Sequence, residues 1–183
     1  MTISAGGNEL LNPTVILERL GVTKGSVLAD LGCGGAGHFI IPAAQMVGSD
    51  TVVYAVDILK SVLHNVASKA RMDGINNIRT VWTNLEKLGA TKINDESLDF
   101  AFLINILFQS TRHQEVITEA KRMIKPGGKL LVIDWLNAKM PFGPALENRV
   151  NPENIKRICQ SLNLKLIEEF KPGNYHFALI FQK

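Results

Sequence analysis

Three glycines spaced as G-x-G-x-x-G are the feature of this sequence that points most directly to chemistry. Gly32, Gly34 and Gly37 follow a short apolar run and precede a longer one, Phe39–Val47. Because glycine has no Cβ, the backbone of such a loop can turn tightly and approach a ligand closely. A helix over the second run would present free N–H groups and the positive end of its dipole to that ligand. The spacing therefore predicts a ligand-binding turn between a strand and a helix.

An aspartate lies at the position along the chain that is expected of a ribose-binding residue. Asp57 follows Gly37 by 20 residues and comes directly after the apolar run Thr51–Val56. A carboxylate at this position can accept hydrogen bonds from both hydroxyls of a ribose. The glycine loop and this acid together predict a site for an adenosine-type cofactor, and a turn that binds no ligand is the alternative.

Two cofactors fit such a site, a dinucleotide such as NAD and S-adenosylmethionine (SAM). Asp30 comes just before the glycines, where it would repel a pyrophosphate but attract the amino group of a methionine moiety. A dehydrogenase normally uses a further domain for its substrate, whereas about 25 residues precede the first apolar run here. Both observations favour SAM over NAD.

The elements that must position these residues are short β-branched runs that alternate with amphipathic stretches. The runs are continuous rather than alternating, which is typical of parallel strands covered on both faces. Alternating strands and helices predict a layered α/β fold. The five predicted strands of this kind are Val27–Leu31, Thr51–Val56, Ile78–Trp82, Leu98–Ile104 and Lys129–Trp135.

The end of the chain has a different pattern. Leu164–Phe170 and Tyr175–Phe181 are strand-like runs separated by four residues. Such a connection is too short for a parallel crossover, so the two runs must form an antiparallel hairpin. The predicted fold is a Rossmann-like three-layer α/β sandwich with a seven-stranded, mostly parallel sheet and an antiparallel C-terminal hairpin. Dinucleotide-binding sheets are all-parallel, so this hairpin also favours SAM.

Composition predicts one ordinary globular domain over residues 1–183. The chain is 46% hydrophobic and 20% charged. Its net charge of +3 is scattered along the sequence, so we expect no nucleic-acid partner. Cys33 and Cys159 form neither a disulfide framework nor a metal motif. We expect no metal. No apolar run reaches the roughly 18 residues of a membrane span, and the first residues lack the pattern of a signal peptide. We therefore expect a cytoplasmic protein without a membrane partner.

Two segments beside the predicted site are expected to cover it. Residues 1–25 are predicted to form an N-terminal helical cap, in which Asn12 and Pro13 begin a helix. Residues 137–150 contain two prolines and have no clear period, so we predict a lid loop. Apolar residues in that loop, such as Phe142, favour a small and partly hydrophobic substrate.

The sequence resembles the class I SAM-dependent methyltransferases, in the small "type 11" branch similar to the enzymes of ubiquinone and menaquinone biosynthesis. The resemblance extends over nearly the whole chain and is carried by Ala29–Gly34, Val53–Asp57, Ser97–Asn105 and Arg122–Leu130. The last segment, with its Lys-Pro-Gly-Gly entry to a strand, is typical of that family. The resemblance implies an enzyme that transfers a methyl group from SAM to a small molecule and releases S-adenosylhomocysteine.

The resemblance also implies a role for particular residues. Asp30 and the loop would lie along the methionine part of the cofactor, Asp57 would hold the ribose, and Ile58 would pack on the adenine. Asn84 and Leu85 would read the amino group and edge of the adenine, and Asn105 would lie beside the methyl-transfer site. The loop residues in this set are Gly32, Cys33, Gly34, Gly35, Ala36 and Gly37.

The chain departs from the family pattern at three places. Asn84 stands where the family usually has an aspartate, and the glycine loop is one residue longer through Gly35 and Ala36. Phe108 and Gln109 occupy a region where relatives often carry histidines. These departures leave the cofactor prediction in place and weaken inference about the substrate.

No residue is assigned as a catalytic base from the sequence. His38 follows the glycine loop and can border the pocket, although capping or packing is the more common role for such a residue. A non-catalytic SAM-binding module and a protein or RNA methyltransferase remain alternatives, as does a nucleotide-dependent oxidoreductase.

Overall fold

Helices and strands alternate along the chain in the computed structural model, which describes residues 11–138, 140 and 143–183. The helices are α1 (Pro13–Leu20), α2 (Ile40–Val47), α3 (Lys60–Met72), α4 (His113–Met123) and α5 (Pro152–Ser161). The strands are β1 (Leu28–Leu31), β2 (Val53–Asp57), β3 (Ile78–Trp82), β4 (Leu98–Ile104), β5 (Ile124–Trp135), β6 (Lys165–Phe170) and β7 (His176–Gln182). Short 3-10 turns occupy Leu107–Gln109 and Leu146–Asn148.

The strands form one seven-stranded sheet in the order β3-β2-β1-β4-β5-β7-β6. Strands β1 to β5 are mutually parallel, and β7 runs antiparallel to both β5 and β6. The predicted fold class is thereby confirmed, including the C-terminal hairpin. The chain leaves β1 for β2 on one side and later returns to β4 on the other. In open α/β sheets, ligands bind at the carboxyl end of the strands where the order reverses in this way.

The sheet has a hydrophobic core on each face. Leu28, Phe102 and Ile133 belong to the core beneath α1, α2 and α3. Leu31 and Leu103 belong to the opposite core, beneath α4 and α5. Because neighbouring residues of one strand point to opposite faces, burial on both faces requires the continuous apolar runs seen in the sequence.

Asparagine caps fix the beginnings of two helices where the sequence predicts them. Asn12 Oδ1 accepts a hydrogen bond from Val15 N at 3.3 Å, and Asn151 Oδ1 accepts one from Glu153 N at 2.9 Å. A proline at the first helical position follows each cap. These bonds satisfy N–H groups that the first turn of a helix leaves without a backbone partner.

The described parts of the two predicted covering segments are anchored to the sheet. In the N-terminal segment, Leu20 is fully buried and its carbonyl accepts a hydrogen bond from Lys129 Nζ at 2.8 Å. In the loop, the Arg149 guanidinium donates to the carbonyls of Pro144 at 2.9 Å and Leu136 at 3.2 Å. Residues 1–10, 139, 141 and 142 lie outside the described residues. The cap and lid roles stay predictions.

Candidate functional site

A cavity of about 520 Å³ opens where β1, β2, β3 and β4 end. It lies at the reversal of strand order, the position at which the fold places ligands. Most of the residues predicted for the site line it. These are Asp30, Gly32, Cys33, Gly34, Asp57, Ile58, Asn84, Leu85 and Asn105. Gly35, Ala36 and Gly37 do not line the cavity, and their contact with a cofactor stays a prediction.

The first two glycines of the loop have different physical reasons to be glycine. Gly32 has φ +87°, and a Cβ added there would lie 2.1 Å from Ile106 Cδ1. Gly34 has φ +62°, and a Cβ there would meet nothing within 4 Å. The left-handed backbone favours glycine at both positions. Gly32 therefore lets the loop pack against the turn after β4, whereas the space over Gly34 is open to a ligand.

Asp57 bridges the glycine loop and the turn after β2. Its Oδ2 accepts a hydrogen bond from Gly34 N at 3.4 Å, and its Oδ1 accepts one from Leu59 N at 2.9 Å. The side chain is half-buried and lines the cavity. A carboxylate held in this way still has lone pairs for two further hydrogen bonds. The geometry fits the predicted contact with a ribose.

Trp82 fixes the turn that carries Ile58, and sequence reasoning missed it. Its indole Nε1 donates to the Ile58 carbonyl at 2.8 Å, and Lys60 Nζ lies 4.4 Å from the centre of its ring. Ile58 is 56% exposed, so an apolar surface faces the mouth of the cavity. This surface fits the predicted packing on an adenine ring.

Asp30 is a buried carboxyl group that lines the cavity. Only 2% of the residue is exposed, and none of the described residues forms a hydrogen bond with its side chain. Burial, and after it the charge of Asp57, raise the pKa of Asp30 to about 7. An ammonium or sulfonium cation bound beside it would favour the ionised form. The site is therefore built to gain from a positively charged ligand.

Two buried polar atoms in the lining lack partners within the part of the chain that the structure describes. They are Asn105 Oδ1 and Thr83 Oγ1. Asn105 has a left-handed backbone, φ +53°, and its N–H donates to the Ile133 carbonyl at 2.8 Å. Buried polar atoms are nearly always hydrogen-bonded, so orphans that line one cavity indicate that a ligand satisfies them. The residues present therefore fit a polar cofactor.

Asn84 and Glu86 hold the loop after β3 in place. Asn84 Oδ1 accepts from Glu86 N at 2.9 Å, and Glu86 Oε1 accepts from Ser110 Oγ at 2.6 Å. The second bond joins this loop to the one after β4. Asn84 therefore has a local structural role, and its contact with adenine stays a prediction. No motif in the sequence marks the pair Glu86 and Ser110.

Asp134 supports the turn that follows Asn105. It is fully buried at the end of β5, and its oxygens accept from Phe108 N at 3.2 Å and Trp135 N at 2.8 Å. Burial raises the pKa of Asp134 to about 6, although these backbone hydrogen bonds act in the opposite direction. An acid among the apolar residues of a predicted buried strand is the sequence signal that could have identified it.

Leu11, His38 and Phe39 also line the cavity. His38 Nε2 lies 3.0 Å from the Leu11 carbonyl oxygen, and the rings of His38 and Phe39 meet edge to face at 5.4 Å. His38 therefore borders the pocket, as the sequence analysis allowed.

Cys33 lines the cavity in surroundings that disfavour its thiolate form. It is buried, and burial together with the charges of Asp30 and Asp57 raises the pKa of its thiol far above the ordinary value. The thiolate is the reactive form of cysteine, so a thiol that stays protonated is inert. Cys33 acts as a small apolar side chain in the loop.

Comparison with known proteins settles the family. A family model described as "Methyltransferase domain" matches residues 22–172. The chain belongs to the class I SAM-dependent methyltransferases, in the type 11 branch. SAM is the cofactor of this family, and the residues described above fit it, which sets aside the oxidoreductase alternative.

Individual relatives agree with this assignment. The chain is 28% identical to a ubiquinone/menaquinone biosynthesis C-methyltransferase of Marinomonas sp. over 134 residues, which cover 73% of this chain and 52% of that protein. It is 32% identical to the protein of the same name from Escherichia fergusonii over 120 residues, which cover 65% and 46%. The chain thus spans about half the length of the curated relatives it matches.

Solved structures share the fold over nearly the full length of the chain. A SAM-dependent methyltransferase from Aquifex aeolicus superimposes with a TM-score of 0.88 at 24% identity, covering 97% of this chain and 93% of that one. A type 11 methyltransferase structure from Sulfolobus solfataricus gives 0.77 at 26% identity, with coverage of 95% and 93%.

Two further observations concern what the described residues lack. Within residues 11–138, 140 and 143–183, three or more His, Cys, Asp or Glu side chains nowhere group as metal ligands would. In the same residues no helix has the length and apolar character needed to cross a membrane.

Proposed function

We propose that this protein transfers the methyl group of SAM to a carbon atom of a small hydroxylated aromatic acceptor, of the quinol type. The observation that carries the cofactor part is the Asp57 carboxylate, held opposite the Gly34 amide at the mouth of an open cavity. The acceptor class is supported by the names of the relatives, which act in ubiquinone and menaquinone biosynthesis. One of them is a demethylmenaquinone methyltransferase of Geobacillus stearothermophilus, 28% identical over 113 residues.

Different residues would hold different parts of the cofactor. Asp57 would accept hydrogen bonds from the ribose, and Ile58 and Leu85 would enclose the adenine. Asp30 and Asn105 would receive the charged methionine end. When bound, SAM supplies a methyl group on a positively charged sulfur, which is a good leaving group.

The chain would contribute mainly alignment and electrostatics. Holding a nucleophile in line with a methyl group can lower the barrier by roughly 7–11 kcal/mol. Asp30 and Asp57 place two carboxyl groups at the same cavity, so its field attracts cationic ligands. A cationic cofactor that becomes neutral on losing its methyl group would be released more readily.

The end of the cavity beside Leu11 and Phe39 would receive the acceptor. Leu11 is 4% and Phe39 3% exposed, and Ile104 packs against the same core. Apolar walls exclude water and bind flat hydrophobic rings. This supports the expectation from the sequence of a small, partly hydrophobic substrate.

Calorimetric titration tests the cofactor site. SAM and S-adenosylhomocysteine should bind the unaltered protein, whereas NAD and NADH should not. Asp57→Ala should weaken SAM binding about 100-fold, or roughly 3 kcal/mol, because two hydrogen bonds to a charged group are lost. Asp50→Ala, at an exposed turn before β2, is the matched control and should bind normally. Unchanged SAM affinity in Asp57→Ala would refute the assigned ribose contact.

Methyl-labelled SAM tests the acceptor. Label should enter 1,4-dihydroxynaphthalene, kept reduced under nitrogen, and appear as its C-methyl derivative. SAM binding without transfer to this quinol or to quinols with a polyprenyl chain would contradict the acceptor class while leaving the cofactor site intact.

A further inference from the structure

His38 has a defined tautomer because of what its ring contacts. Its Nε2 lies 3.0 Å from the carbonyl oxygen of Leu11. A carbonyl oxygen can only accept, so in the neutral ring Nε2 carries the hydrogen and donates it. The other nitrogen, Nδ1, therefore has a free lone pair. None of the described residues forms a hydrogen bond with it.

The surroundings of His38 suit a group that acts on a bound acceptor. The residue lines the cavity directly after the glycine loop, beside Leu11 and Phe39. The hydrogen bond to Leu11 and the edge-to-face contact with Phe39 fix the orientation of the ring. The apolar end of the cavity thus contains one oriented base.

The other titratable groups that share the cavity with His38 already have roles. Asp57 is bonded to Gly34 and Leu59, and Glu86 is bonded to Ser110. Asp30 lies at the end of β1 below the loop, where it would receive the methionine end. Burial and the charges of Asp30 and Asp57 raise the pKa of the Cys33 thiol, which disfavours a basic thiolate. Among the described lining residues, His38 is left to accept a proton from a substrate.

We propose that His38 Nδ1 is the general base that removes the hydroxyl proton of the acceptor. This rests on the proposed function, and it names a hydroxyl group beside the methylated carbon as the feature that the site recognises. The protein thus selects acceptors with an ionisable hydroxyl on an aromatic ring.

The proton and electron balance of the step is complete without a further reagent. The hydroxyl proton moves to Nδ1, and the oxygen electron pair shifts through the ring to the neighbouring carbon. That carbon bonds to the methyl group as the carbon–sulfur bond breaks and its electron pair stays on sulfur. The same carbon then loses its hydrogen to water, the ring becomes aromatic again, and His38 returns its proton to the oxygen. The net release is one proton.

Two substitutions separate catalysis by His38 from a structural role. In His38→Gln the side-chain amide can still donate to Leu11, but the basic nitrogen is gone. In His38→Ala both are lost. If His38 is the base, His38→Gln should lower kcat on 1,4-dihydroxynaphthalene about 100-fold or more, in the range found for general bases. SAM affinity should stay within about twofold.

The pH dependence gives the sharpest readout. Phenolic hydroxyls ionise by themselves near pH 10, so the deficit of His38→Gln should shrink as the pH rises towards that value. His64→Gln, in an exposed part of α3, is the control and should keep the normal pH profile.

A measurement without SAM tests the same nitrogen independently of turnover. Diethyl pyrocarbonate modifies unprotonated imidazole nitrogens, and peptide mass spectrometry locates the adduct. His38 should be modified in the free protein and protected by 1,4-dihydroxynaphthalene, whereas exposed His64 should react in both cases. Fully buried His176 should react in neither.

Each outcome decides the proposal. Full activity of His38→Gln together with loss in His38→Ala would show that the ring only anchors Leu11, and would overturn it. If the unaltered protein binds SAM but methylates no quinol, the acceptor class fails. Modification of the free protein then still decides on His38, because a ring that diethyl pyrocarbonate leaves unmodified offers no accessible basic nitrogen, which would overturn its assignment.

Discussion

Two buried carboxyl groups on different elements of this protein have opposite environments. Asp30 ends β1 beside the cavity, and Glu119 lies in the middle of α4 on the other face of the sheet. Asp30 is 2% exposed and Glu119 is 0% exposed, so both lose contact with water on folding. They differ in the hydrogen-bond partners that replace that water. This difference distinguishes a residue that binds a ligand from one that stabilises the fold.

Glu119 is fully satisfied within the protein. Its carboxylate accepts hydrogen bonds from Gly89 N at 2.7 Å and Thr91 N at 3.0 Å, and two from Arg122 at 2.9 Å each. Burial alone would raise the pKa of Glu119, but the hydrogen bonds from Arg122, Gly89 and Thr91 outweigh it and lower the pKa to about 2. The ionised group thereby ties the loop before β4 to α4.

Asp30 has no such partners within the described residues, and its pKa is raised to about 7 instead. At neutral pH the folded protein therefore carries a carboxyl group that is close to its point of ionisation and costs stability when charged. Natural proteins commonly accept this cost at binding sites. The contrast indicates that Asp30 is retained for a cationic ligand rather than for the fold.

The largest expected effect comes from removing the satisfied carboxylate. Glu119→Ala removes the carboxylate to which the Arg122 guanidinium and the Gly89 and Thr91 amides donate, so unfolding in urea at pH 7 should require about 3 kcal/mol less. The dissociation constant for SAM should not change, because Glu119 does not line the cavity. Gln114→Ala, an exposed position on the same helix, is the control and should unfold like the unaltered protein.

The same residue predicts how stability depends on pH. The pKa of Glu119 is lowered from 4.5 to about 2 on folding. Its contribution is therefore fully present above pH 4.5 and is lost as the pH falls from 4.5 towards 2. If Glu119→Ala has the same free energy of unfolding as the unaltered protein at pH 7, the hydrogen bonds of Glu119 do not hold the loop before β4 in place.

Removing the Asp30 carboxyl group should raise the free energy of unfolding, whereas removing Glu119 should lower it. The pKa of Asp30 is raised from 3.8 to about 7, so the folded state binds more protons than the unfolded state between these values and stability falls as the pH rises through them. Asp30→Asn should therefore stabilise the ligand-free protein above pH 7 by on the order of 2 kcal/mol. The gain should disappear below about pH 4, where both variants are neutral at this position.

Asp30→Asn should also weaken SAM binding, about tenfold or more, because the cationic end of the cofactor loses an opposite charge. Urea unfolding across pH 4–8 and calorimetry at pH 8 measure the two effects. A variant that is destabilised at pH 8, or that binds SAM normally, would contradict the contrast between the two carboxyl groups.

The different predictability of these residues has a physical cause. Asp30 and Asp57 could be predicted for one site because the G-x-G-x-x-G loop and an acid 20 residues after Gly37 form a pattern that the sequence itself displays. The partners of Glu119 at Gly89 and Thr91 lie 30 and 28 residues away, and they meet it only once the sheet and α4 are packed together. The sequence shows only the neighbouring pair Glu119 and Arg122. On an exposed helix surface such an ion pair contributes little to stability.

The fold shows the same division between local and long-range information. Strands β3 and β4 occupy the predicted ranges, because apolar runs bounded by turn residues define a strand locally. Strand β5 begins at Ile124 rather than at Lys129, because Ile124 pairs with Leu98 across a register shift. Such pairing depends on the neighbouring strand and is invisible in the run itself.

Proton release on binding offers a smaller but direct test of Asp30. A bound cation should lower its pKa, so binding below pH 7 should release up to one proton. The dissociation constant for SAM should rise about tenfold between pH 8 and pH 6. Calorimetry in two buffers of different ionisation enthalpy measures the proton. Asp57 and Cys33 lie near the Asp30 carboxyl group. The variant Asp30→Asn assigns the released proton to Asp30, because the release should vanish in that variant.

The smallest expected effect separates a backbone requirement from a ligand requirement. Gly34 and Gly74 both have a left-handed backbone, with φ +62° and +69°, and a Cβ at either would meet nothing within 4 Å. Alanine should therefore cost each site about 1 kcal/mol of stability, because L-residues disfavour this conformation. Only Gly34 lines the cavity, so only Gly34→Ala should weaken SAM binding, by a few-fold.

Thermal unfolding and SAM titration of the two variants, side by side, check this. Equal losses of stability with unequal affinities would mean that the space over Gly34 is reserved for the cofactor. Equal affinities would mean that the cofactor does not approach the second glycine, and that the loop, like Glu119, serves the fold alone.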